Sequence, residues 1–171
     1  ASFFLSLIYI NGVNVKVDIN KAIYYLEQVA LFNEPNSQFI LGSIYYKGEF
    51  ITRDTNKAIQ YLSLAANQNH QYAQNNLGFI YYSGEYVTRD INRAIHFFSL
   101  AASQNDLNAI NNLGYIYYND LNFGKVETVI NFLENAANKN DANAQNSLGY
   151  VYYNDFDPKV HDADKGIHYF K

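Results

Sequence analysis

Residues 73–108 read AQNNLGFIYYSGEYVTRDINRAIHFFSLAASQNDLN, and this stretch decides the fold because the chain repeats it. Leu-Gly pairs occur at 41–42, 77–78, 113–114 and 148–149, separated by 36, 36 and 35 residues. One further period back, Tyr9 and Gly12 occupy the positions of Tyr45 and Gly48. A fixed period of this length is typical of solenoids, in which each repeat buries its apolar face against its neighbours.

Each repeat is predicted to contain two helices, here called helix A and helix B. In helix A of the third repeat, Ala73, Leu77, Ile80 and Tyr81 follow the i, i+4, i+7, i+8 spacing of an amphipathic helix. We expect Gly84 to end this helix with a positive φ, and an aspartate to cap helix B. The cap is Asp90, and the apolar stripe of helix B is Ala94, Phe97, Phe98, Ala101 and Ala102.

Five repeats are predicted to form a single solenoid domain, with boundaries at 1–36, 37–72, 73–108, 109–143 and 144–171. The first and last repeats are cut within a helix and residue 1 is not methionine, so we expect the sequence to be part of a longer protein. The fourth repeat has a shorter loop, and in the fifth Gly166 occupies a helix-B position that holds alanine in the second and third. The approach of the helices is therefore expected to differ in the last repeats.

The pattern A-x3-L-G-x2-Y-x2-G, followed by Asp and then by A-x3-aromatic-x2-A-A, resembles the Sel1-like repeat. Tetratricopeptide repeats share Leu-Gly-x2-Tyr, but their turn is tighter than the 13 residues between Tyr81 and Ala94, and their terminal proline is missing here. The resemblance implies an all-α, right-handed superhelical α-solenoid of antiparallel helix pairs. It also implies a non-catalytic scaffold that assembles protein complexes. The third repeat carries the pattern in Ala73, Leu77, Gly78, Tyr81, Gly84, Asp90, Ala94, Phe98, Ala101 and Ala102.

The composition argues against several classes of protein. The net charge is −4 and the 12 basic residues are scattered singly, which disfavours nucleic-acid binding. The chain has no cysteine, so disulfides and thiolate zinc sites are excluded. The apolar stretch at 3–10 is too short to cross a bilayer, so we expect no membrane insertion. Without a cysteine, a signal peptide or a glycosylation sequon in this sequence, a cytoplasmic location is favoured.

A pair of adjacent tyrosines, such as Tyr81 and Tyr82, follows each of the four Leu-Gly pairs. Consecutive helical residues point roughly 100° apart, so the two rings cannot share one face. On a helical wheel Tyr81 lies with Leu77 in the core, whereas Tyr82 lies on the opposite face. Since helix A lines the concave side of such superhelices, this face predicts a partner-binding groove. Its residues are Phe39, Tyr46, Asn75, Phe79, Tyr82, Asn111, Tyr115, Tyr118, Asn146, Tyr150 and Tyr153.

Aromatic rings spaced with amides suit a protein or peptide segment as the partner. Helix A carries almost no basic residue, which favours a neutral or basic segment. We therefore predict a protein-interaction scaffold that needs no cofactor. Two other functions stay open: a regulatory repeat tail of a larger enzyme such as a kinase, and a glycan-binding surface on which the rings serve as stacking platforms. A purely structural role of the repeated rings and amides also stays open.

Catalytic and metal-binding signals are weak. The chain has no G-x-S-x-G, P-loop or dinucleotide fingerprint, and the predicted groove holds no base–nucleophile pair, so we expect no enzymatic activity. His161, Asp162 and Asp164 resemble a metal cluster, but they lack an ordered ligand spacing and Asp162 aligns with the predicted cap. We predict no metal site there, and we place His96 and His168 on the solvated face of helix B.

Overall fold

The computed structural model describes residues 2–119, 126–138, 140, 142–153 and 160–170, and within these ranges all regular structure is α-helical. None of the described helices combines the length and the apolar character needed to cross a bilayer. The A helices are α1 (Ser2–Asn11), α3 (Pro35–Lys47), α5 (Gln71–Ser83), α7 (Leu107–Asn119) and α9 (Ala142–Tyr153). The B helices are α2 (Ile19–Ala30), α4 (Thr55–Ala66), α6 (Ile91–Ser103), α8 (Val126–Ala137) and α10 (Ala163–Tyr169).

Contacts divide the chain into two compact units, Ala1–Arg89 with α1 to α5 and Asp90–Lys171 with α6 to α10. In the first unit each helix packs against the next one along the chain. In the second unit α7 contacts α6, α8 and α9, and α9 also contacts α8 and α10. Each helix is thus covered by its neighbours in sequence, as a repeat solenoid requires. That all five repeats form one domain stays a prediction.

The predicted ends of the helices are confirmed. Gly84 follows α5 with a φ of 64°, and Gly48 follows α3 with a φ of 63°. A Cβ atom on Gly84 would lie 2.7 Å from the Cβ of Arg89, so this glycine is required by space as well as by φ. Helix α6 begins after Asp90, whose carboxylate accepts a hydrogen bond from the Arg93 N–H.

A left-handed asparagine forms each turn from helix B to the next helix A. The polar SQND segment predicts a turn, and the structure shows which of its residues reverses the chain. Asparagine is one of the few residues other than glycine that enters this region readily. The φ angles lie between 60° and 63° at Asn33, Asn69, Asn105 and Asn140.

The core follows the predicted stripe of helix A. Leu41, Leu77, Leu113 and Leu148 are all fully buried. Gly42, which follows Leu41, lets α4 come close: a Cβ atom at this position would lie 2.6 Å from the Cγ of a leucine in α4.

The last repeat departs from the others as expected. A Cβ atom on Gly166 would lie 2.6 Å from the backbone nitrogen of Tyr153, so α10 approaches α9 more closely than an alanine at this position would allow. The exchange of alanine for glycine at this helix-B position thus changes the spacing of the helix pair.

Candidate partner-binding site

The first tyrosine of the pair in the second repeat, Tyr45, is a core residue. Tyr45 is 8% exposed and its ring stacks on Tyr61, with the two centroids 6.0 Å apart. The Nζ of Lys57 lies 4.9 Å from the Tyr45 centroid, which is within range of a cation–π contact. The Tyr45 hydroxyl donates to Glu27 Oε1 in the preceding repeat. The assignment of the first tyrosine to the core is confirmed here.

Tyr152 repeats this arrangement in the second unit. It is 7% exposed and stacks on Tyr169, and its hydroxyl donates to Glu134 Oε1 over 2.7 Å. The Lys165 ammonium donates both to Glu134 Oε1 and to the Tyr152 hydroxyl oxygen. The hydrogen bond from Lys165 is the main cause that holds the pKa of the Glu134 carboxyl below its ordinary value. We call Glu134, Tyr152 and Lys165 the α8–α10 clasp.

Tyr81 is half-buried, so the prediction that its ring is a buried core residue is wrong. The preceding repeats also differ: Ser63 stands at the position that holds Glu27 and Glu134, so the glutamate contact of the Tyr45 and Tyr152 hydroxyls is not repeated at this position.

The second tyrosine of the pair is partly covered by the loop that follows helix A. Arg53 donates from Nε to the Tyr46 carbonyl oxygen and from its guanidinium to the Lys47 carbonyl oxygen, and so satisfies the end of α3. Its guanidinium lies 4.0 Å from the ring centroid of Tyr86, and that ring meets Tyr46 edge-on at 6.2 Å. Tyr46 is therefore half-buried rather than free on a groove wall.

Arg89 makes the same backbone contact one repeat later, but its guanidinium lies over the tyrosine of its own repeat. Its Nε donates to the Tyr82 carbonyl oxygen over 3.0 Å, and its guanidinium lies 4.8 Å from the Tyr82 ring centroid. Tyr82 is half-buried as well. The two arginines lie one period apart in the sequence, so their recurrence could have been noticed. The path of the loop that places their side chains over the rings was not predictable from helical spacing.

The other predicted groove residues of the first unit are distributed unevenly. Phe79 is 48% exposed, in keeping with its predicted face. Asn75 is half-buried and has interactions of its own. Phe39 is half-buried because its ring stacks on His70, with centroids 4.7 Å apart.

In the second unit, Tyr115 is 58% and Tyr153 49% exposed, and the Tyr153 ring meets Phe170 edge-on. Asn146 is exposed, whereas Asn111 is half-buried with its Oδ1 shielded from solvent. The side chains of Tyr118 and Tyr150 lie outside the described residues.

An apolar concavity of about 460 Å³ opens on the helix-A face of the first unit. Its wall contains Ser43, which stands where the next two repeats carry Phe79 and Tyr115. The small side chain at this one position leaves room that a ring takes up elsewhere. We call this space the Ser43 concavity; it is lined by Ile10, Ile19, Phe39, Ile40, Ser43, Ile44, Lys47, Glu49, Phe50 and Asn76.

Glutamines that the sequence analysis missed tie three of the A helices, α3, α5 and α9, to the preceding helix B. The amide nitrogen of each donates over 3.2 to 3.4 Å to a carbonyl in the last turn of that helix, where no helical N–H follows. The signal in the sequence is a glutamine directly before the Phe39, Asn75 and Asn146 positions. The pairs are Gln38 with Ala30, Gln74 with Ala66, and Gln145 with Ala137.

The histidines take different places. His96, His161 and His168 are exposed, and Asp162 caps α10 by accepting a hydrogen bond from the Lys165 N–H, as its alignment predicts. In the described part of the chain, no group of three or more His, Asp or Glu side chains is placed to hold a metal ion. His70, to which the sequence analysis gave no role, is half-buried at the start of α5.

A family model described as Sel1 repeat matches residues 1–31, 35–70, 71–106, 107–141 and 142–171. These matches confirm the five predicted repeats, and those after the first begin two residues earlier than predicted, at the first residue of helix A. A search of curated proteins found no match.

Solved structures show the same fold. The chain is similar to c5321, a protective antigen present in uropathogenic Escherichia coli strains displaying an SLR fold, with a TM-score of 0.82 and 28% identity, covering 99% of this chain and 36% of the antigen. It is similar to a Sel1 repeat protein from Oxalobacter formigenes, with a TM-score of 0.74 and 28% identity over 98% of this chain and 69% of that protein. An immunity protein from Pseudomonas aeruginosa, 20% identical with a TM-score of 0.54 over 99% of this chain and 65% of that protein, shares the fold alone. The chain therefore spans about a third of the antigen's length.

Proposed function

The chain belongs to the Sel1 repeat family, whose members generally serve as protein-interaction scaffolds, and from this premise we propose that it binds a segment of a partner protein on the helix-A face of its first unit. The observation that carries the proposal is the Ser43 concavity. Its volume of about 460 Å³ falls within the range of roughly 300–1,000 Å³ that is usual for binding pockets.

The lining of the Ser43 concavity defines the group that fits it. Isoleucine and phenylalanine side chains make up most of the wall, so a charged group would lose its hydration there without a partner. An apolar side chain of the partner, aliphatic or aromatic, gains instead from the removal of its surface from water. The proposed ligand therefore carries at least one such apolar anchor.

The charges near the site favour a partner segment without a strong net charge. Lys47 is the only charged residue within α1, α3 and α5. The loop after α3 carries Glu49 and Arg53, and the loop after α5 carries Glu85 and Arg89, so neither sign is in clear excess. The lining of the concavity likewise holds one ammonium, Lys47, and one carboxylate, Glu49, so no charge of the site attracts a strongly acidic or strongly basic partner.

A random-sequence peptide library displayed on phage tests the proposal. Peptides selected on the wild-type chain are expected to share an apolar anchor and to show no strong preference for charge. Ser43→Phe places in the concavity the side chain that the next repeat carries, and should weaken these peptides at least tenfold by calorimetry. Gln60→Phe adds the same ring at an exposed position of α4 and serves as the matched control, with unchanged affinity expected.

Phe50→Ala is a second variant of the concavity, and it keeps the test informative if Ser43→Phe does not fold. Phe50 lines the concavity but is 69% exposed, so its removal should leave the urea unfolding midpoint unchanged while weakening the selected peptides. Peptides that bind both variants as tightly as the wild type would contradict the Ser43 concavity as the site. A library that yields no selected sequence at all would count against the scaffold function of this unit.

A further inference from the structure

The N-terminus of α5 is capped differently from those of two other A helices. Glu34 caps α3 and Asp106 caps α7 through carboxylate oxygens, which accept hydrogen bonds from first-turn N–H groups. At the equivalent position of α5, the imidazole Nδ1 of His70 accepts the Ala73 N–H over 3.2 Å. A carboxylate is ionised across the neutral range, whereas an imidazole titrates within it.

Three contacts hold the His70 ring between α5 and α3. Because Nδ1 accepts the hydrogen bond from Ala73, the proton of the neutral ring lies on Nε2. That nitrogen is 3.3 Å from Asn36 Oδ1 and donates to it. The ring also stacks on Phe39 of α3, with centroids 4.7 Å apart and planes 25° from parallel.

We propose that His70, Asn36 and Phe39 form a pH-sensitive latch, in which neutral His70 holds the start of α5 against α3 and protonated His70 releases it. Phe39 also lines the Ser43 concavity, so the latch controls the wall of the proposed binding site. Only this consequence for binding rests on the proposed function. The latch itself rests on the contacts of His70.

Protonation opposes the latch in two ways. It places a proton on Nδ1, which then has no lone pair to accept the Ala73 N–H. It also places a positive charge at the N-terminus of a helix, where the helix dipole already presents its positive end. The same change at Glu34 or Asp106 requires a much lower pH, because a carboxylate retains its charge until it is acidified below its own pKa.

Titratable groups around His70 come from both elements that it touches. Glu34, at the start of α3, attracts the imidazolium, and Tyr72 of α5 meets the His70 ring edge-on. Gln68 and Asn69 of the preceding turn are uncharged. Burial of the ring lowers the pKa of His70 and outweighs the opposing attraction of Glu34.

The direction of the pH effect follows from the lowered pKa of His70 in the folded chain. The unfolded chain binds a proton at His70 more tightly than the folded chain does. The latch is therefore complete above the ordinary histidine pKa of about 6.5, and it is lost as the pH falls through the lower pKa of the folded state.

The test compares the wild-type chain with His70→Asn, which retains an N-cap side chain but does not titrate. Hydrogen exchange of the α5 first-turn amides is measured between about pH 7.5 and about pH 5, where histidine titrates and most carboxylates do not. After correction for intrinsic exchange, protection in the wild type should fall about tenfold, the effect of losing a typical cap. Protection in His70→Asn should stay constant. His96→Asn, which replaces an exposed histidine, should behave as the wild type does.

An NMR titration of the His70 ring supplies the second readout. The latch predicts a pKa of His70 below the ordinary histidine value of about 6.5 and a shift of the Phe39 ring signals at the same pH. Equal pH dependence in the wild type and His70→Asn, or a pKa of His70 at or above about 6.5, would overturn the latch. Because neither measurement uses a ligand, a failed peptide selection leaves this result interpretable, and a failed latch leaves the peptide result intact.

Discussion

The two tyrosines of each repeat differ in what surrounds their rings. Tyr45 has a tyrosine on one face, a lysine ammonium above it and a glutamate at its hydroxyl. Tyr82 has an arginine from the following loop over its ring and is half-buried. The helical period predicts that only the first of the two faces the core. It does not predict the arginine, because the loop that carries it follows no helical spacing.

Replacing the first tyrosine should cost stability according to its burial. We expect Tyr45→Ala to reduce the free energy of unfolding by about 3–5 kcal/mol, since it removes a buried ring and leaves a cavity. Tyr81→Ala should cost distinctly less, because Tyr81 is half-buried and its removal exposes less buried surface. Urea unfolding followed by circular dichroism measures both variants.

Tyr45→Phe is the control for this comparison. It keeps the stacked ring and removes only the hydroxyl, so it should cost about 1 kcal/mol or less. If Tyr81→Ala proved as costly as Tyr45→Ala, the difference in surroundings between the two repeats would not be what sets their stability.

At the scale of the helix, the residues that begin and end each helix were predicted from the sequence, but the contacts between the end of one helix and the next helix were not. Glycine after helix A and aspartate before helix B follow from local chemistry, and both are confirmed. The bond from Gln74 to the end of α4 joins residues eight apart in sequence across a left-handed turn. Helical spacing within one helix carries no information on such a contact.

The α8–α10 clasp makes the stability of the second unit depend on pH. The pKa of Glu134 is lowered in the folded state, so its contribution is present above the ordinary glutamate pKa of about 4.3 and is lost as the pH falls through the folded value. The cluster is partly exposed, and its contribution is expected to be about 1 kcal/mol at most. Thermal unfolding followed at the α9 and α10 amides between about pH 6 and about pH 3 measures it.

Glu134→Gln separates this contribution from the titration of other carboxylates. The variant keeps a side-chain acceptor for Lys165 but does not ionise, so stability should change less steeply with pH than in the wild type. Glu127→Gln, which alters an exposed glutamate of the same helix, should leave the slope close to that of the wild type. Identical slopes for the wild type and Glu134→Gln would show that the clasp does not contribute in this range.

At the scale of the chain, the period of the Leu-Gly pairs was sufficient to predict five helix pairs, because the same apolar spacing recurs in each repeat. The Ser43 concavity depends instead on one departure from the pattern, a serine where the later repeats have rings. The residue was visible in the sequence, but the room around it depends on how isoleucines and phenylalanines from α1, α2 and α3 are arranged. The residues that recur in every repeat therefore predict the solenoid fold, whereas the candidate site depends on Ser43, a residue that departs from the repeat.

The exposed Phe79 ring gives a test in which binding and stability should separate. Phe79 is 48% exposed, so Phe79→Ala should shift the free energy of unfolding by only about 0.5 kcal/mol. If partner segments extend from the Ser43 concavity along the helix-A face of the first unit, the same variant should weaken selected peptides about tenfold, since exposed aromatic side chains often anchor interfaces. Calorimetry and urea unfolding on one preparation measure both quantities. Leu77→Ala is the opposite control: it removes a fully buried core side chain and should cost about 2–5 kcal/mol of stability. Selected peptides that bind Phe79→Ala with undiminished affinity would confine recognition to the concavity and assign the exposed Phe79 ring no part in it.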